Sequence, residues 1–157
     1  MVNLTELKDF LVKAKKSTYA AGDNSPKTVE KDNSTTLIFE DGDWKYHDNY
    51  FGGEPYGGRE VVFFQNKPIY MMVYYGWVDE SVNDLNQAYK VLQGALSLIP
   101  EDKPFRGPSK HEQDGFTYTN ISEGEIDNFS GEEIIIDENK KGIYKAKYIG
   151  GLIDQKR

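Results

Sequence analysis

The chain states one pattern twice, and few folds can satisfy a repeated pattern of this kind. Trp44-Lys45-Tyr46 is echoed by Phe116-Thr117-Tyr118, Asp48 by Asn120, Gly52 by Gly124 and Tyr56 by Phe129. Gly58-x-Glu60-Val61-Val62 returns as Gly131-x-Glu133-Ile134-Ile135, and Asn66-Lys67 as Asn139-Lys140. Ile69-Tyr70-x-x-x-Tyr74-x-Gly76 returns as Ile143-Tyr144-x-x-x-Tyr148-x-Gly150. The offset drifts by a couple of residues, as small length changes in turns produce. Self-similarity at this spacing decides the architecture before any local reading does. It also makes one half a control for the other: agreement points to structure, and difference points to function.

Each half begins with an amphipathic helix. Leu4, Leu7, Phe10, Leu11 and Ala14 fall at helical spacing behind Asn3 or Thr5 as cap, and Leu85, Ala88, Val91 or Leu92, Ala95 and Leu96 do the same before Pro100. Gly22 to Ser34, rich in Gly, Asn, Ser, Lys and Asp, reads as an additional surface loop in the first half. Alternating segments then predict strands over 36–39, 44–50, 60–64 and 69–77, and again over 116–120, 133–137 and 143–149. The expected fold is α+β: one domain over 1–157, built from two tandem repeats of a helix followed by antiparallel strands, about 3–78 and 83–153.

Strand faces follow from the turns. A four-residue turn at Gln65-Asn66-Lys67-Pro68 pairs Phe64 with Ile69 and places Val61, Phe63, Tyr70, Met72 and Tyr74 on one face. A five-residue turn at 138–142 places Ile134, Ile136, Tyr144, Ala146 and Tyr148 on the matching face, with Glu133 opposite Lys147 on the other. The first face is apolar in both halves and reads as core. The second face, Val62, Phe64, Met71, Val73 and Tyr75, is apolar only in the first half. It therefore requires a cover: an internal helix or loop, a second copy of the chain, or an apolar ligand.

Composition narrows the function. A net charge of −7, with no basic run longer than Lys15-Lys16, opposes a surface that binds nucleic acid directly, since such affinity rests on Lys and Arg displacing counterions. Without cysteine there is no disulfide framework, thiolate metal site or cysteine nucleophile. No apolar run approaches a membrane span and residues 1–16 lack a secretory apolar stretch, so a cytosolic location is expected. The two histidines, His47 and His111, have no metal-ligand spacing, and no metal or cofactor is expected.

The segment 44–60 concentrates aromatic and glycine residues. Trp44, Tyr46, Tyr50 and Phe51, with Asp48, Arg59 and Glu60 beside them, make a candidate ligand-binding set, to which Arg106 in the bend Pro104-Phe105-Arg106-Gly107-Pro108 is added. A phosphate loop is excluded, because these glycines lead into a strand and not into a helix N-terminus. No residues assemble a catalytic constellation.

The run Trp44-Lys45-Tyr46-x-Asp48-x-Tyr50-Phe51-Gly52-Gly53, with Gly58-x-Glu60-Val61-Val62, Lys67-Pro68, Tyr74-Tyr75-Gly76, the Pro104–Pro108 bend and Tyr148-x-Gly150-Gly151, resembles the bacterial domain-of-unknown-function family numbered 5680. Domains related to that family are sometimes joined to a helix-turn-helix module, so the resemblance implies a sensing or partner-binding role. The expectation is a non-enzymatic domain that binds a small ligand or a protein partner, with a homodimer formed through the second face as one form of partner binding. The alternative is a small enzyme with acid/base chemistry at Asp48 or Glu60 and an anion held by Arg59 or Arg106.

Overall fold

Asn3 starts the first helix. Its side chain accepts from the backbone N–H groups of Thr5 and Glu6 (3.1 and 3.3 Å) and donates a 2.9 Å bond back to the Glu6 carboxylate, which satisfies two amides that a helix start leaves without partners. In the computed structural model, which describes residues 1–155, this helix (α1, Leu4–Ser17) buries Leu7, Phe10, Leu11, Ala14 and Lys15. The second helix (α2, Leu85–Leu96) is capped by Asp84 and buries Ala88, Val91, Leu92, Ala95 and Leu96. Neither is long and apolar enough to cross a membrane, and the same is true of every helix among the described residues.

The described residues form nine strands: β1 (Thr28–Val29), β2 (Thr35–Asp41), β3 (Trp44–Gly52), β4 (Tyr56–Phe64), β5 (Lys67–Val78), β6 (Lys110–Gln113), β7 (Phe116–Glu125), β8 (Asn128–Ile136) and β9 (Gly142–Leu152). They form one antiparallel sheet in the order β1-β2-β3-β4-β5-β9-β8-β7-β6, with Tyr74 of β5 directly opposite Tyr148 of β9 at its centre. The fold is α+β, a single domain of one large sheet with both helices packed into the same core. The expected surface loop at 22–34 carries the end of a 3₁₀ segment (Tyr19–Asn24) and the short β1, and β6 is a strand that periodicity does not announce.

The strand faces differ from expectation by one residue, with large consequences. The β4–β5 turn has two residues, Gln65 and Asn66, both at positive φ (51° and 64°), the geometry that matches strand twist in a tight hairpin. A bulge then leaves Ile69 unpaired, so Val62 opposes Tyr70 and Glu60 opposes Met72. In the second hairpin Ile143 is the unpaired residue, and Ile135 opposes Tyr144 while Glu133 opposes Ala146. A one-residue slip turns every β4 and β8 side chain over. Tyr70, Met72, Tyr74, Tyr144, Ala146 and Tyr148 are buried as expected, but their partners on the core side are Val62, Glu60, Ile135 and Glu133 instead of Val61, Phe63, Ile134 and Ile136. Glu133 does not pair with Lys147 in water; it is fully buried, and Lys147 and Lys145 pair with Glu132.

The second face is corrected in the same way. Val62 is fully buried, so it belongs to no interface. Phe64 is half-buried against Trp44, with ring centroids 4.7 Å apart. Met71 is half-buried on the outer face, while Val73 and Tyr75 are 45% and 53% exposed there, next to Ile121 and Ile149 at 75% and 61%. No helix covers them, because both helices sit on the opposite side of the sheet.

The echoed Gly-x-Glu motif now has a physical meaning. Gly58 lies opposite Tyr74 and Gly131 opposite Tyr148. A Cβ at Gly58 would come within 2.6 Å of the Tyr74 hydroxyl, and one at Gly131 within 2.2 Å of the Tyr148 ring. Each glycine thus leaves the space across which a central tyrosine lies, and two residues later the glutamate points into the same layer.

A tyrosine-walled cavity with buried charges

Between the helices and the sheet lies a cavity of about 270 Å³. Its walls come from α1 and the 3₁₀ segment (Lys15, Tyr19, Ala20), from Lys27 just before β1, from α2 (Tyr89, Gln93, Leu96), from the bend after α2 (Ile99, Phe105, Arg106), and from β3, β4 and β5 with the turn at Gly52 and Gly53. Of the residues singled out by sequence, Tyr46, Asp48, Tyr50, Glu60 and Arg106 line it. Trp44, Phe51 and Arg59 do not: Trp44 stacks on Phe10 (5.3 Å between centroids), Phe51 is 50% exposed, and Arg59 lies on the outer face opposite Asn49 and Val73.

Strand register brings the two carboxylates of the floor together. Asp48 on β3 is directly opposite Glu60 on β4, and both point into the core, 2% and 4% exposed. Glu60 receives Lys15 from α1, its Oε2 2.8 Å from the ammonium. Apart from that ion pair Glu60 Oε2 has no partner; the ammonium also donates to the Phe105 carbonyl at 2.6 Å. Burial pulls the Lys15 ammonium below the ordinary lysine range, and the adjacent Glu60 opposes that shift.

A second ionic cluster adjoins the first. Arg106 donates through Nε to Glu133 at 3.0 Å, through Nη2 to the same oxygen, and through Nη2 to the Tyr56 hydroxyl at 3.4 Å. Glu133 also accepts from Tyr118 (2.5 Å) and Tyr144 (3.0 Å), and the Tyr56 and Tyr144 hydroxyls are hydrogen-bonded to each other. The Arg106 guanidinium lies 5.6 Å from the centroid of the Tyr74 ring, within cation–π range. Phe105 anchors the bend by stacking on Phe129 at 3.8 Å, nearly parallel.

Asp48 differs from the other carboxylates. Tyr74 donates to it at 2.5 Å, yet among the described residues no Lys or Arg forms an ion pair with it. Burial, reinforced by the neighbouring Glu60 charge, pushes its carboxyl up to about 7. On β7 the echoed position is Asn120, which accepts the same bond from Tyr148 at 2.7 Å.

The mouth is fixed by α2. Tyr89 donates to the Gly53 carbonyl (3.0 Å) and to Glu54, whose other oxygen accepts from Val78 N–H at 2.6 Å. Gly52, at φ +83°, makes the turn there; a Cβ would meet the Pro55 carbonyl oxygen at 2.5 Å. Among the described residues no group of three or more His, Cys, Asp or Glu side chains is placed to hold a metal ion. Tyr56, one of the aromatics of the segment 44–60, also lines the cavity; sequence reasoning missed Lys15, Tyr19, Tyr74, Tyr89 and Glu133 as residues of this site. The available signals were a lysine on the apolar stripe of α1 and a glutamate common to both echoed segments.

The chain belongs to the family described as Domain of unknown function (DUF5680), whose model matches residues 48–153. That span holds the sheet from Asp48 onward, α2 and the Arg106 bend, and leaves α1 outside it. No curated protein and no solved structure matches the chain.

Proposed function

We propose that this member of the family is a non-enzymatic binding domain whose tyrosine-walled cavity takes up a small organic ligand. One observation carries the reading: charged side chains that would be costly to bury are held at the floor of an open cavity, and are not packed solid. A buried ion pair is weak evidence for stability, whereas a concave, mostly apolar site with a few convergent polar groups is the usual form of a ligand pocket. The test is native mass spectrometry of the 17.9 kDa chain purified from its natural host, joined to a thermal-shift screen of metabolites. A co-purified mass, or a stabilising metabolite whose effect is lost on Tyr89→Ala, is expected; bare chain with no stabilising compound opposes the reading.

Acid/base chemistry is the second reading, favoured by the Asp48 carboxyl standing near 7 beside Glu60. Turnover of a bound metabolite, lost on Asp48→Asn with binding retained, is the result that would replace binding with catalysis.

The two halves are further proposed to descend from a duplicated unit, in a cytosolic protein. Support comes from the sheet order, which apart from β1 reads alike from either edge, and from the Tyr74–Asp48 and Tyr148–Asn120 bonds at echoed positions. Of these paired sites, the Tyr74–Asp48 pair lines the tyrosine-walled cavity and the Tyr148–Asn120 pair does not.

A further inference from the structure

Five charged side chains are buried at or beside the cavity: Lys15 and Arg106, and the carboxylates of Asp48, Glu60 and Glu133. Each cation already has its own carboxylate, Lys15 with Glu60 and Arg106 with Glu133. Asp48 is the carboxylate left over. It is nine-tenths or more buried, lines the cavity, and is held by a tyrosine hydroxyl alone. Beside it, Glu60 Oε2 has the Lys15 ammonium, 2.8 Å away, as its one partner. The surrounding walls are rings: Tyr19, Tyr50, Tyr56, Tyr74 and Tyr89.

On the reading of the cavity as a binding site, we infer that its ligand is a small organic monocation, a protonated amine with an apolar or aromatic body, whose ammonium sits against Asp48 and Glu60. The charge completes the third ion pair. N–H groups of an ammonium supply donors for the two carboxylates, and charge-assisted bonds of this type are about twice as strong as neutral ones. The tyrosine faces attract the same cation through their quadrupoles, while Leu96, Ile99 and Phe105 give the rest of the molecule an apolar bed. At about 270 Å³ the space lies just under the range of about 300–1,000 Å³ that holds drug-sized ligands, so the amine is metabolite-sized. Of the three cations that line the cavity, Lys15 and Arg106 are already neutralised and Lys27 is exposed and in no ion pair among the described residues; a carboxylate is disfavoured where the ligand's polar end meets the buried Asp48, which would repel it.

The groups facing Asp48 are Glu60 on β4, Tyr46 on β3, Tyr74 on β5, Lys15 on α1 and Arg106 on the bend. Asp48 is the carboxylate among these without a cationic partner, and burial with the Glu60 charge beside it pushes its carboxyl up to about 7, so an arriving ammonium favours loss of its proton.

The experiment compares three probes of the same ring and chain length on the full chain: phenethylammonium, 2-phenylethanol and 3-phenylpropanoate. Titration calorimetry at pH 6 in two buffers of different ionisation enthalpy gives affinity and proton count together. The expected result is phenethylammonium binding at least about tenfold more tightly than the carboxylate, with release of close to one proton. Asp48→Asn, an exchange the chain itself tolerates at Asn120, should weaken the amine by about tenfold or more and leave 2-phenylethanol unchanged. Equal or tighter binding of 3-phenylpropanoate overturns the cation assignment while leaving the binding site in place. That comparison needs no variant, so it holds even if Asp48→Asn fails to fold. No binding by any probe at millimolar concentration overturns the binding reading itself, and the cation with it.

Discussion

Replacing Asp48 by asparagine should make the protein more stable at pH 8 and progressively less advantaged as the pH falls. Asparagine keeps an acceptor for the Tyr74 hydroxyl, and Asn120 already accepts that bond from Tyr148, so the exchange removes charge with little change of shape. The folded carboxyl stands at about 7 against an ordinary 3.8. A raised carboxyl favours the folded state where it is protonated: its contribution is complete below about pH 4 and is lost as the pH climbs through about 7. Integrating between those two values, the cost of Asp48 grows by about 2.5 kcal/mol from pH 5 to pH 8. The group is almost fully buried, so added salt screens little of this. For a chain of this length about 1 kcal/mol moves Tm by about 2–4 °C, and the melting gap between variant and native chain should widen by about 5–10 °C across that range. Melts followed by circular dichroism at four pH values and constant ionic strength read the gap directly. Surface carboxylates titrate alike in both proteins and drop out of the difference. A gap that stays constant within about 1 °C would refute the claim that Asp48 is a strained, unpaired acid.

Glu133→Gln leaves the Arg106 guanidinium buried without its counter-charge and should cost about 3–5 kcal/mol in urea unfolding; a loss under about 1 kcal/mol would show that solvent reaches Arg106. Gly131→Ala places a methyl 2.2 Å from the Tyr148 ring and should destabilise by about 1–3 kcal/mol, whereas Gly53→Ala, with open space around it, should stay within about 0.5 kcal/mol; equal effects would contradict the packing described. Met71→Lys puts a charge on the uncovered outer face and should leave the melting temperature nearly unchanged. Sedimentation of the same variant against the native chain tests self-association through Val73 and Tyr75: a smaller species after substitution supports it, and a native monomer excludes it.

Both helices and most strands were readable because their apolar spacing is regular. Faces were not, because the decisive residues are turn residues with weak local signatures. Gln65 in a left-handed conformation hides the two-residue turn, and nothing in Ile69 or Ile143 announces that each is the unpaired residue of a bulge. The slip sent Glu133 to water on paper and to the centre of the core in fact. Within the site, the aromatic-glycine segment led to Tyr46, Asp48, Tyr50 and Glu60. Its opposite wall comes from α1 and α2, whose contributions are set by how helices lie on the sheet. Lys15 occupies the turn of α1 after Leu11, on the side that Leu7 and Ala14 bury; a cation there is legible only once a carboxylate across from it is known.

β9 is the last strand along the chain, yet it lies between β5 and β8 at the middle of the sheet. A nascent chain emerging from the ribosome therefore carries two unjoined sheet fragments, each ending in a row of unpaired backbone groups, until residues 142–152 arrive to bridge them. Completion of the domain then waits for long-range strand pairing as its final step, the kind of topology that folds slowly and exposes edges on the way. A chain stopped before Gly142 should be open to proteases and prone to edge-to-edge association, and losing β9 divides the molecule where losing β6 would merely shorten it.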